Sequence, residues 1–185
     1  MNPSASITDT IRNMWSQSVQ VLTKPSVATF EQYEGKGGLR EALVYVLLAS
    51  IISGLFGPGG GVGGFLARVI GTIVGFLAFT YLVFYFGKNQ GGTGSLDQVA
   101  YAFALFWAPL TVLFSVLTLL LIITLIGIFL VPLLGIVTLA ANVYFAYLAV
   151  QSSLNLREGG KIWLTLLVAA VGTFLVNLIV GAIIR

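Results

Sequence analysis

The 185-residue chain has no cysteine and no histidine, and only 8% of its residues are charged. Without cysteine there can be no disulfide and no thiol nucleophile, and without either residue the usual zinc ligands and imidazole bases are gone. A Ser-His-Asp set cannot be assembled. Charge at 8% is far below the roughly one quarter found in soluble domains. What is present instead is 58% hydrophobic residues and a mean hydropathy of +1.02. Charge-free stretches run over Ala42–Ala67, Val69–Gly87, Gln98–Leu156 and Ile162–Ile184, each near or beyond the roughly 20 residues that cross a bilayer as helix. Residues 116–131 (VLTLLLIITLIGIFLV) are apolar on nearly every face, which excludes the alternating pattern of a membrane β-barrel. The net charge of +3 is small and its basic residues are scattered, so no nucleic-acid partner is expected.

The expected architecture is all-α, a polytopic transmembrane bundle of five spans at about 39–56, 65–86, 108–127, 133–153 and 162–184. Residues 1–38 read as a cytoplasmic N-terminal segment and 39–185 as the transmembrane domain. That segment has no secretory signal, so the first span is expected to direct its own insertion. Ile7, Ile11, Met14, Ser18 and Leu22 recur at helical spacing beside Trp15 and Val19, predicting an amphipathic helix that either lies in the headgroup layer or packs on the protein's own loops. Gly35, Gly37 and Gly38 read as a hinge. Residues 57–64 (GPGGGVGG) read as a loop, because glycine and proline disfavour helix. Ser95 followed by Gln98 has the form of a capping box. Pro109 predicts a kink or break that leaves Leu96–Ala108 as a separate helix, interfacial or partly inserted, ahead of the third span.

Orientation follows from the basic residues. With the N-terminus inside, Arg12, Lys24, Lys36, Arg40, Lys88, Arg157 and Lys161 face the cytoplasm, and only Arg68 and Arg185 lie opposite. The expected topology is N-in and C-out.

The six acids, Asp9, Glu31, Glu34, Glu41, Asp97 and Glu158, all fall in the tail, in loops or at span ends. No proton relay or carboxylate pair is placed within a span. No catalytic residue, cofactor or metal is therefore expected, and the chain reads as a non-enzyme. Arg68 stands out, about one turn inside the second span. It either snorkels to the outer headgroups or lines a polar cleft for a lipid phosphate or anionic solute. Asn142 and Asn177 fall near mid-span, where they can bond each other as helix-to-helix contacts worth ~0.6 kcal/mol or line the same cleft. Gly71 and Gly75 form a small-xxx-small pair that permits close helix approach. Trp15, Trp107 and Trp163 are the expected interfacial anchors.

Trp15 followed by Val21–Pro25 (VLTKP) and Phe30, the run from Tyr101 to Pro109, and the polar break between the last two spans resemble the Ypt-interacting-protein (YIP) family of five-span membrane proteins, particularly its bacterial-type members. The resemblance implies a non-catalytic membrane adaptor or organiser, since eukaryotic relatives are associated with Rab-type GTPases and traffic between Golgi and endoplasmic reticulum. The 38-residue tail is shorter than the cytosolic region expected of those relatives, which tells against GTPase recruitment and points to a bacterial cytoplasmic membrane. The expected partners are the lipid bilayer, a protein on the cytoplasmic face and a second copy of the chain. The rival reading is a small carrier, channel or lipid scramblase with a cleft near Arg68.

Overall fold

A computed structural model describes residues 7–57, 61–124 and 127–184, the side chains of 183 and 184 excepted. All regular elements among them are helical. Two short helices, α1 (Ile7–Thr23) and α2 (Val27–Tyr33), precede α3 (Leu39–Phe56), α4 (Gly61–Asn89), α5 (Leu96–Ile123), α6 (Val131–Ser153) and α7 (Gly159–Ile184). A 3₁₀ turn at Gly127–Leu130 leads into α6. The last five helices are each long and apolar enough to cross a membrane, so the predicted number of spans is found. Their alternation puts the start of α3, the α4–α5 turn and the α6–α7 turn at one end with α1 and α2. This is the capped end; the other is the open end.

The centre is α5, which packs against α1, α3, α4 and α6. Every residue from Val99 to Phe106 is buried, a pattern that requires neighbours on all sides. Phe106 meets Phe30 of α2 edge-on at 6.3 Å, Phe103 at 5.6 Å and Phe145 of α6 in a stack at 5.8 Å. Offset and edge-to-face pairs of this kind add to area burial. The alanines at 100, 102, 104 and 108 keep the helix thin enough for its neighbours to approach. At 28 residues α5 is about 42 Å long, longer than the roughly 30 Å hydrocarbon core. The capped-end turns of α5 are sheathed by α1 and α2.

Two expectations need correction. The helix does not break at Pro109, which lies inside the continuous α5, so residues 96–108 are not a separate helix. Proline removes one backbone donor, but packed neighbours tolerate that within a bundle, and here they enclose both sides of it. Second, Gly61–Gly64 belong to α4; residues 58–60 of the expected loop lie outside the described residues. The described part of the N-terminal segment packs on the bundle, with Met14, Val21, Phe30 and Tyr33 joining the single core. The capping box at Ser95 is present, with the Gln98 amide N–H donating to Ser95 Oγ (3.2 Å) and Ser95 N–H to Gln98 Oε1 (2.8 Å).

The glycines before α3 serve close approach. A Cβ on Gly37 would enter the Tyr101 ring, and one on Gly38 would lie 2.8 Å from Asp97 Oδ1, while Gly35 has open space. Asp97 also accepts the Leu39 N–H (2.9 Å), tying the starts of α3 and α5 together. Gly37→Ala is expected to lower stability by about 1–3 kcal/mol through overpacking, and Gly35→Ala to stay within about 0.5 kcal/mol. Thermal unfolding of both variants in one detergent measures the difference; equal melting would contradict the close approach.

Candidate functional site

Three places on the bundle combine polar groups with shape. The first is the capped end. α1 turns Met14, Ser18 and Val21 into the core and is pinned by two long-range bonds, Tyr45 Oη to Ser18 Oγ (3.1 Å) and Tyr101 Oη to Gln17 Oε1 (2.9 Å). Beside that face Trp15 is 58% and Val19 43% exposed, and Ile7, in line with the buried face, is exposed where α1 begins. The amphipathic pattern therefore serves two surfaces.

α2 is held to α6 by Glu34, whose carboxylate accepts the Ser152 hydroxyl. Nearby, Arg157 pairs with Glu31 at 3.4 Å; both are exposed, so that pair adds little. The α4–α5 turn joins the same assembly, since Thr93 N–H donates to Leu154 O (3.0 Å) and Asn155 Nδ2 to Thr93 Oγ1 (3.1 Å). Asn155 adopts φ 54°, a left-handed conformation that asparagine tolerates better than most residues.

Glu34 is the one buried acid at this end. Desolvation holds its carboxyl above the ordinary value of 4.5; the Ser152 hydroxyl pulls it down and Glu31 pushes it up. A raised folded-state pKa means that Glu34 favours folding fully below 4.5, and that this contribution is lost as pH rises through the raised value. Stability is expected to decline over that window, and Glu34→Gln, which still accepts from Ser152, is expected to flatten the decline. Superimposable pH profiles of melting temperature for the two proteins would contradict this.

The second place is at the open end. Arg68 is half-buried, with Nε and Nη2 donating to Gly54 O at 3.3 and 3.2 Å. This carbonyl belongs to the last turn of α3, where backbone oxygens lack helical donors and a positive charge is favourable. A Cβ on Gly57 would lie 2.5 Å from Arg68 Nε, so glycine leaves room for the guanidinium. Arg68 thus folds back onto α3 and lines a cleft of about 440 Å³ with Ser53, Thr72, Thr111, Ser115 and Thr118. Ser53, Ser115 and Thr118 donate to carbonyls of their own helices, which leaves oxygen lone pairs toward the cleft.

The third place is a larger, apolar cleft of about 540 Å³ bounded by α4, α5, α6 and α7. Asn142 and Trp107 lie here. Asn142 Nδ2 donates to Thr138 O of its own helix (2.8 Å). Asn177 is elsewhere, its amide beside Gly75 on α4, and no hydrogen bond joins the two asparagines. Gly71 of the small-residue pair lies in open space, so only Gly75 meets another helix. Trp107 packs edge-on against Phe76 (5.5 Å) and beside Phe79 (5.8 Å), inside the bundle. Trp163 is exposed near the capped end of α7, 5.5 Å from Tyr147.

Periodicity could not have located Glu34 or the two clefts, since each is made by side chains distant in the chain. Among the described residues no group of three or more His, Cys, Asp or Glu could hold a metal ion.

Five apolar helices of spanning length around one core define a polytopic α-helical membrane protein. A model of the Yip1 domain family matches residues 19–179, from the second half of α1 into α7, and the chain belongs to that family. No curated protein and no solved structure matches it.

Proposed function

We propose that the chain is a non-catalytic membrane scaffold of the YIP type, which binds a protein partner or lipid through its capped end. The observation that carries this reading is α1. One side is locked to α3 and α5 by the Ser18 and Gln17 bonds, while Ile7 (64% exposed), Trp15 and Val19 remain on the surface. A pinned helix with Trp15 and Val19 adjacent on its exposed side suits a partner, because little ordering remains to be done on binding. Arg12, Lys24, Lys36, Arg40, Lys88, Arg157 and Lys161 belong to the capped end, which supports a cytoplasmic placement by the positive-inside rule. A bacterial cytoplasmic membrane is the proposed location.

Crosslinking in intact membranes followed by purification tests the proposal. The expected outcome is a defined protein partner, a second copy of the chain, or an enriched lipid, each reduced by Trp15→Ala with Val19→Ala. Recovery of none from well-folded protein would overturn it.

A second reading, a small carrier, channel or scramblase, is favoured by the hydroxyl-lined cleft at Arg68. It predicts flux of an anion or lipid across liposomes that falls in Arg68→Ala; absence of flux in the wild type would remove it.

A further inference from the structure

We infer that the cleft between α6 and α7 binds the hydrocarbon chain of a membrane lipid drawn from the leaflet at the capped end. The inference is separate from the scaffold reading, which concerns α1.

The cleft exists because α7 leaves α6. The two helices are joined by a tight turn at residues 154–158, yet α7 packs mainly along α4, and α6 along α5. Two contacts draw α7 toward α4. Gly172 lies so close to α4 that a Cβ there would be 2.7 Å from Leu82 Cδ1, and Asn177 reaches across to Gly75. α6 and α7 therefore diverge from their common turn, and the wedge between them is floored by Phe79, Phe106, Trp107 and Leu110.

Position and lining identify the occupant. On α6 the lining runs from Gly135 to Ala146, about 16 Å of helix, or roughly half the hydrocarbon thickness. On α7 it begins at Trp163, whose contact with Tyr147 marks the capped-end rim; paired aromatics of this kind sit at headgroup level. The side walls are Leu139, Val143, Leu166 and Leu167. Water gains little in an apolar space of this kind, and an unfilled one forfeits dispersion contacts along its whole lining. The volume of about 540 Å³ falls within the roughly 300–1,000 Å³ of small-molecule sites. The divergence of α6 and α7 opens the wedge sideways, where hydrocarbon is the solvent. Deep in the cleft, Asn142 leaves its amide oxygen available, since the bond to Thr138 uses only an N–H. That oxygen would favour chains bearing a hydroxyl over plain ones.

The test uses purified full-length protein in lipid nanodiscs containing a phospholipid with a photoactivatable diazirine in its acyl chain, with labelled residues mapped by mass spectrometry. Labelling is expected to concentrate on Trp107, Leu110 and Val143 relative to Phe174 and Ile179, which face outward on α7. Two substitutions fill the cleft from open positions. Gly135 has nothing within 4 Å of a Cβ, and Ala170 is exposed at the mouth. In Gly135→Leu with Ala170→Phe, labelling of the cleft residues is expected to fall about tenfold, the change that 1.4 kcal/mol produces, with Phe174 and melting temperature unchanged. Cleft labelling no greater than that of Phe174 and Ile179, labelling that persists in a folded double variant, or crosslinks showing a second copy's side chain in the cleft would each overturn the inference. Failure to recover any capped-end partner from the wild type, with cleft labelling intact, would defeat the scaffold reading alone.

Discussion

Eight consecutive residues of α5, Val99 to Phe106, are buried on every side, and the rest of the bundle is arranged to enclose them. In a bilayer, helices gain no hydrophobic drive from leaving lipid for one another, so cohesion rests on close packing and on hydrogen bonds between helices. At the capped end of α5, part of that burial comes from elements outside the five spans. α1 and α2 supply it, with Met14, Val21 and Phe30 fully enclosed. The bonds that hold them in place, from Gln17, Ser18 and Glu34, reach across 84, 27 and 118 positions of the chain.

This division of labour separates the two ends of the molecule. The capped end is tightly packed and rich in side-chain bonds. Toward the open end, contacts thin out. Arg68 there secures the end of α3 through Gly54, and hydroxyl groups face a cleft rather than a partner helix. α6 is the least enclosed of the five spans, and its divergence from α7 leaves the apolar wedge. The bundle is thus closely packed at one end and open along one side.

Much of the fold was legible in the sequence because the forces that set it are local. Runs without charge locate the spans, and Ser95 with Gln98 marks the start of α5. The family was legible too, from Trp15 to Phe30 and from Tyr101 to Pro109. Other features depend on tertiary context. Pro109 is a helix breaker in isolation, and only enclosure by neighbours keeps α5 continuous. Gly61–Gly64 have weak helix propensity, yet they form the first turn of a 29-residue helix. Asn142 and Asn177 lie at different distances from the capped end of their helices, and α7 turns toward α4, so the two do not meet. Trp107, read as an interfacial anchor, packs among Phe76 and Phe79 instead. The lateral cleft has no sequence signature, since it arises from the angle between two helices whose faces are equally apolar.

The central claim is that α1 and α2 are part of the membrane protein's core rather than a tail attached to it. Hydrogen–deuterium exchange of the full-length chain in nanodiscs measures this directly. Amides of residues 14–23 and 27–33 are predicted to exchange as slowly as those at the capped-end start of α5, and to gain exchange together with them when Tyr101→Phe removes the bond to Gln17. Exchange of α1 and α2 at the rate of an unstructured peptide, with α5 still protected, would contradict the account.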